Sequence, residues 1–294
     1  MKTKIVSAIY FDLYGTSLGG RPGRNDHYLY SLNSIMNISN AEFIVYTNDK
    51  NKIDTFYQEF YPDKVDRLST IEYDLYNTEY SSKINKIKDI ESTKQSVRCI
   101  ELQYSKLSWI KLNAHDCDYI YWIDAGLCYS GLIPDKYLNI HTGKYFDSYY
   151  GSNIFTNELL NNLNNYTNNQ VFVCAKENRD FYWDSSIPCK YFIDDCQSCY
   201  HIIGGLFGGY LSSINYICDK FSILTNTLLD NEPVLYSEEQ ILSCLFFSYP
   251  NYFKNKMFHI WWHENNKSGA MPKEDGLELL KRIRSFYKII EEFI

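Results

Sequence analysis

The chain has 294 residues, 45% of them hydrophobic and 22% charged, with a formal net charge of −7. That composition is globular and large enough to bury a core without disulfides, and its acidity argues against a protein that wraps nucleic-acid backbone, which needs a basic face. No apolar run approaches the roughly 18 residues of a membrane span, no secretory leader precedes Asp12, and the nine cysteines read as reduced thiols in a cytoplasmic setting.

In chain order, 3–11 (TKIVSAIYF) predicts a buried strand, and 12–26 a Gly-rich loop carrying Arg21 and Arg24. Tyr28, Leu29, Leu32, Ile35 and Met36 make one apolar face of a helix over 27–37. A second strand, 41–49 (AEFIVYTND), precedes a helix over 50–61 that stops at Pro62. Strand, helix, strand, helix predicts a parallel sheet covered by helices. Residues 78–90 read as a polar loop or solvated helix, and 91–113 as the clearest helix. Tyr119–Ile123 predicts a central strand that delivers Asp124 to its end. Beyond 130 come a surface helix within 156–170, a strand at 171–178, a short strand with paired glycines at 201–210 and a helix over 211–229. A helix opening at YSEEQIL, an aromatic strand at 257–265 and an amphipathic helix over 274–293 complete the chain.

Four stretches could carry chemistry. YIYWIDAGL places the Asp124 carboxylate at the carboxyl edge of a strand, where α/β sheets bind ligands, and Ala125-Gly126 leave room for backbone approach. Such an acid serves a hard cation that grips phosphate, or it caps the next turn. In HIIGGLFGG, Gly204-Gly205 and Gly208-Gly209 form the floor of a substrate site or a bulged strand. In YSEEQIL, Ser237 and Gln240 fit a capping box, while Glu238 and Glu239 suit the helix N-terminus or act as a base in a cleft. In FHIWWHE, His259 and His263 share one strand face, as metal ligands beside Asp124 or as core residues. Among weaker signals, Arg21 and Arg24 could clamp phosphate, and Lys106 or Lys111 could reach the cleft. Asp194-Asp195 could be an acid pair or a turn. Cys189, Cys196, Cys199 and His201 are zinc-type ligands at a spacing that matches no common finger.

AIYFDLYGT, residues 8–16, resembles the phosphatase motif of the haloacid dehalogenase superfamily. That likeness implies Asp12 as nucleophile and Asp194/Asp195 as magnesium-binding acids, but Tyr14 stands where the general acid belongs, with too high a pKa for the role. A wider resemblance uses the whole chain. AIYFDL, the arginine loop with Tyr28-Leu29, FIVYTND, SKLSWIK with Lys106, YIYWIDAGL, HIIGGLFGG, SEEQIL and FHIWWHE together resemble, in collinear order, a nucleotide-sugar glycosyltransferase of the GT-A fold, nearest the bacterial HtrL/YibB family.

The resemblance implies an α/β fold: one GT-A-like, Rossmann-type domain over 1–294, its central, mostly parallel sheet flanked by helices. A nucleotide-sugar half (1–130) would be followed by an acceptor half (131–294). It implies a UDP- or GDP-linked donor, Mn²⁺ or Mg²⁺, and a glycan, lipid-linked or protein acceptor. Ile9, Tyr10, Asp12, Arg21, Arg24, Lys106, Asp124, Ala125 and Gly126 would contact the donor. Gly204, Gly205, Asp194 and Asp195 would face the acceptor, and Glu238 or Glu239 would be the base. Asp124 stands at the first Asp of the family's DxD motif and Gly126 at the second, so that water, His259 or His263 would fill the metal shell. A non-catalytic sugar-nucleotide-binding relic of the same fold is the remaining expectation.

Overall fold

The computed structural model describes residues 1–11, 24–87, 97–126, 138–139, 144–145, 155–177, 191 and 200–258. In the N-terminal part, β1 (Thr3–Ile9), α1 (Arg24–Ile35), β2 (Ala41–Thr47), α2 (Lys50–Phe60) and β3 (Leu68–Glu72) are followed by the short α3 (Ser81–Ile84), then α4 (Val97–Asn113) and β4 (Tyr119–Ile123). The two-residue strands β5 (Leu138–Asn139) and β6 (Lys144–Tyr145) pair with each other. Next come α5 (Asn157–Thr167), β7 (Val171–Glu177), β8 (Tyr200–Tyr210), α6 (Leu211–Asn231), α7 (Glu238–Ser248) and β9 (Phe253–Phe258).

Seven strands form one sheet in the order β3-β2-β1-β4-β8-β7-β9. β1 pairs in parallel with β2 and β4, β2 with β3, and β7 with β9, while β8 runs antiparallel to both its neighbours. The α/β class and the mostly parallel sheet flanked by helices are therefore as the sequence predicts. β1 and β4 are buried along nearly their whole length, as expected of strands covered on both faces. Their side chains alternate: Val6, Tyr10, Ile120 and Trp122 pack with α4, α6 and α7, whereas Ile5, Ile9, Tyr121 and Ile123 pack with α1, α2 and α5.

Two buried lysines close helix ends. Lys4, buried on β1, donates to the carbonyls of Asn113 (3.3 Å) and His115 (2.6 Å) at the end of α4. Lys64 does the same after α1, donating to the Asn33 carbonyl and to the Asn33 and Asn37 side-chain oxygens, each at 2.8 Å. Among the described residues, no helix is long and apolar enough to cross a membrane.

The structure departs from the sequence expectations in three places. β3 is an edge strand that the half-polar LSTIE segment did not announce. The late strand begins at Phe253, ahead of the predicted 257, and β8 extends through both glycine pairs as one 11-residue strand. The stretch 259–265 and the helix expected over 274–293 lie outside the described residues, as do Cys189, Cys196 and Cys199 of the zinc-type set.

Gly208 and Gly209 serve the sheet. Their φ values are +143° and +157°, and a Cβ on Gly208 would stand 2.4 Å from the carbonyl oxygen of Ile120. Neither backbone can retreat, because β4 is the neighbouring strand. Gly208→Ala is expected to destabilise the fold by about 2 kcal/mol or more, read as a lowered urea midpoint; an unchanged midpoint would contradict this packing.

Candidate active site

The chain order builds a crevice. From β1 the chain moves outward through β2 and β3, then returns to lay β4 on the other side of β1. This reversal is a topological switch point, and ligands of open α/β sheets bind outside the carboxyl ends of the strands there. Two contacts shape it. Ser7 Oγ donates to the carbonyl of Ile123 (2.6 Å), tying β1 to the end of β4. The Asn48 amide clasps the backbone of Phe11, accepting from its N–H (2.9 Å) and donating to its carbonyl (3.0 Å).

Asp124 leaves β4 on the same face as Trp122, toward α4 and α7. Lys106, on α4, meets it there. The Lys106 ammonium donates to Glu238 Oε1 (2.7 Å) and to the carbonyl of Gly204 (3.1 Å), and lies 3.1 Å from Asp124 Oδ1. An ammonium has three N–H donors, so these three acceptors use all of them. The side chain of Lys106 is 6% exposed and that of Glu238 4%, whereas that of Asp124 is 40% exposed and faces the crevice. Trp122 Nε1 donates to Asp124 Oδ1 at 2.6 Å, and its ring stacks on Trp109, which stacks in turn on Tyr46. The carboxylate thus stands on a slab of packed aromatics, with one oxygen held by two donors. Its Oδ2 takes no hydrogen bond among the described residues.

α7 brings the second pair of acids. Its start is fixed by a capping box: Ser237 Oγ accepts from the Gln240 N–H (3.2 Å) and Gln240 Oε1 from the Ser237 N–H (2.7 Å), as the sequence predicts. Tyr104, two residues before Lys106 on α4, donates to the carbonyl of Tyr236 (2.5 Å) and anchors the approach to the helix. Glu239 Oε1 accepts from the N–H of Gly204 (2.9 Å). Gly204 is glycine because α7 sits on it: a Cβ there would lie 2.5 Å from Glu238 Oε1 and 3.2 Å from Glu239 Cγ. The Asp124 N–H donates to the Gly205 carbonyl (2.8 Å), which joins the ends of β4 and the first glycine pair.

The charges are interdependent. Burial alone would pull Lys106 down, but Asp124 and Glu238 more than offset it and hold the ammonium protonated well above its ordinary range. Burial pushes the Glu238 carboxyl up; Lys106 opposes that, and Glu239 adds to it. Glu238 Oε2 is buried and finds no hydrogen-bond partner among the described residues.

Six of the predicted site positions therefore meet: Lys106, Asp124, Gly204, Gly205 and the Glu238–Glu239 pair, drawn from four separate segments. Ile9 and Tyr10 reach the edge of the crevice with their backbone, but both side chains are in the core, and the Tyr10 hydroxyl donates to the carbonyl of Tyr73 (2.8 Å). Ala125 is buried. Asp12, Arg21, Asp194, Asp195, His259 and His263 lie outside the described residues, as does the side chain of Arg24. Sequence reading missed Trp122 as the partner of Asp124; the signal was its place two residues earlier on a strand, hence on the same face. It also missed the relation of Tyr28 to Gly126. A Cβ on Gly126 would stand 2.4 Å from Tyr28 Cε1, so the ring of Tyr28 occupies the space where a second acid of a DxD pair would project. No local pattern announces that contact.

The described residues alone do not fit a chelated divalent cation. The first acid already shares an oxygen with an ammonium and an indole N–H, and the second position is walled by Tyr28. No group of three His, Cys, Asp or Glu side chains converges among the described residues. A separate cleft of about 390 Å³ between α2 and β3, lined by Lys50, Asp54 and Thr70 among others, is on the far edge of the sheet from this cluster.

The chain is similar to the crystal structure of mouse xyloside xylosyltransferase 1 in its apo form, at 9% identity over 87% of this chain and 85% of that one, with a TM-score of 0.46. It is also similar to that of 4-diphosphocytidyl-2C-methyl-D-erythritol synthase from Anaerococcus prevotii DSM 20548, at 10% identity over 98% and 96% of the two chains, with a TM-score of 0.39. No protein-family model and no curated protein matches the sequence.

Lys106→Met would leave Glu238 buried without its counter-charge, at an expected cost of roughly 3–5 kcal/mol near pH 8. Removing the ammonium moves the folded-state value of Glu238 further above that of the unfolded chain. The stabilisation from its bound proton is then present below the unfolded carboxylate range and is lost as pH rises through the folded value. The deficit of Lys106→Met relative to the parent should therefore be larger at pH 8 than at pH 5 in urea unfolding; a deficit independent of pH would contradict the pairing.

Proposed function

We propose that the protein is a glycosyltransferase that moves a sugar from a UDP- or GDP-linked donor to a hydroxyl of a glycan, lipid-linked or protein acceptor. The observation that carries this reading is the convergence of Asp124, the Gly204-Gly205 floor and the Glu238–Glu239 pair at the β1/β4 switch point, around one buried lysine. The sequence likeness to the HtrL/YibB family and the single-domain organisation, with a donor half over 1–130 and an acceptor half over 131–294, belong to the same proposal.

The roles follow from position. The end of β1 and the segment after it, with Asp12, Arg21 and, at the start of α1, Arg24, take the nucleotide, the arginines offsetting charge that grows on the leaving diphosphate. Asp124 orients the donor from the end of β4. Glu238 is a positioning residue: it is buried against Lys106 and fixes the α7 terminus. Glu239, half-buried on the same helix turn, faces the acceptor. In an inverting reaction the acceptor oxygen bonds to the anomeric carbon, the bond from that carbon to the diphosphate oxygen breaks, and the hydroxyl proton passes to Glu239. Nucleoside diphosphate leaves with the electron pair of the broken bond. A retaining reaction needs no such base.

A panel of UDP- and GDP-sugars, followed by mass spectrometry for released nucleoside diphosphate and for glycosylated acceptor, tests the proposal. One donor is expected to turn over. Asp124→Ala should lower kcat/KM by about 100-fold or more, a loss on the order of 2.7 kcal/mol in transition-state stabilisation. Asp12→Asn should act mainly on donor KM. Binding without turnover would identify a sugar-nucleotide-binding relic. No binding to any donor, together with a Mg²⁺-dependent phosphomonoesterase activity abolished by Asp12→Asn, would establish the dehalogenase-like reading instead.

A further inference from the structure

We infer that Asp124 binds the donor directly, as the acceptor of a sugar or ribose hydroxyl, and is not a metal ligand, with Lys106 as the resident cation that replaces the ion. This inference rests on the nucleotide-sugar reading above.

The first observation is how the two oxygens of Asp124 are used. Oδ1 accepts from the Trp122 indole at 2.6 Å and lies 3.1 Å from the Lys106 ammonium, so its orientation is set before any ligand arrives. Oδ2 takes no hydrogen bond among the described residues, and the side chain is 40% exposed on the crevice side. One fixed oxygen and one open oxygen make a directional acceptor for a hydroxyl, which donates a single hydrogen bond. A divalent ion asks for several oxygen ligands at once.

Charge points the same way. The carboxylate already lies 3.1 Å from a buried ammonium, which it shares with Glu238. A second, doubly charged cation on the same carboxylate would repel that ammonium at short range. Packing supplies the last constraint: the ring of Tyr28 holds the space beside Gly126 that a second chelating acid would need. A carboxylate with one oxygen held in this way is suited to accept from a polyhydroxyl ligand.

The test measures the affinity of the parent protein for UDP-glucose, GDP-mannose and the rest of the donor panel by calorimetry, once in excess EDTA and once in excess Mn²⁺. The expected result is the same affinity within about twofold. In EDTA, Asp124→Asn, checked for folding by its thermal melt, should bind about tenfold or more weakly, because a charge-assisted hydrogen bond becomes a neutral one. Mn²⁺ alone, titrated against both proteins and followed by the paramagnetic resonance of the free ion, should show no difference between them. A parent affinity that falls tenfold or more in EDTA overturns the inference, as does Mn²⁺ binding that is lost in Asp124→Asn, and both leave the transferase reading standing. Absence of nucleotide-sugar binding under either condition removes that reading and this inference together.

Discussion

The interaction on which the site depends is the ammonium of Lys106, buried between two carboxylates and a carbonyl. Taking a lysine out of water costs several kcal/mol, and only full pairing offsets it. The structure meets that demand with three acceptors from three elements: Asp124 after β4, Gly204 in β8 and Glu238 at the start of α7. Each constrains the others. α7 must come down onto β8 for Glu238 to reach the lysine, and it can do so only because position 204 has no side chain. Tyr104 and the capping box then hold the helix start in that place. One buried charge thus joins three segments that are distant in sequence.

The sheet explains why the cluster sits at a crevice and not in a closed core. β4 returns beside β1 after the chain has travelled out to β3, and open α/β sheets bind ligands outside the carboxyl ends of strands at such a reversal. Asp124 is the first residue past the paired part of β4, on the face covered by α4, α6 and α7, and its side chain remains partly exposed. The aromatic slab of Tyr46, Trp109 and Trp122 beneath it is closely packed, so the carboxylate keeps one orientation. Such preorganisation favours binding because little conformational freedom is lost when the ligand arrives.

Much of this was legible in the sequence because it is local. The apolar run TKIVSAI, the strand YIYWI ending in an acid, and the Ser237–Gln240 box each carry their own physical signature over a few residues. What was not legible is long-range. Nothing near Gly126 says that Tyr28, almost 100 positions earlier, presses on it. The two adjacent glutamates look equivalent in sequence, and only the packing of α7 separates a buried partner of Lys106 from its half-buried neighbour. The paired glycines of β8 look alike too, yet Gly204 makes room for a carboxylate while Gly208 makes room for the backbone of β4. Tyr10 read as a pocket residue and is a core residue, since period-two alternation aims it at Trp109. LSTIE was missed as a strand because an edge strand has only one partner and no continuous apolar run.

The most direct measurement is a crystal structure of the protein with UDP, or with the nucleotide sugar that turns over. The account predicts the ligand in the crevice between the carboxyl ends of β1 and β4, with a hydroxyl on Asp124 Oδ2 and Lys106 still bound to Asp124 and Glu238. A ligand seated elsewhere on the sheet, or a cation between Asp124 and the diphosphate with Lys106 displaced, would contradict it.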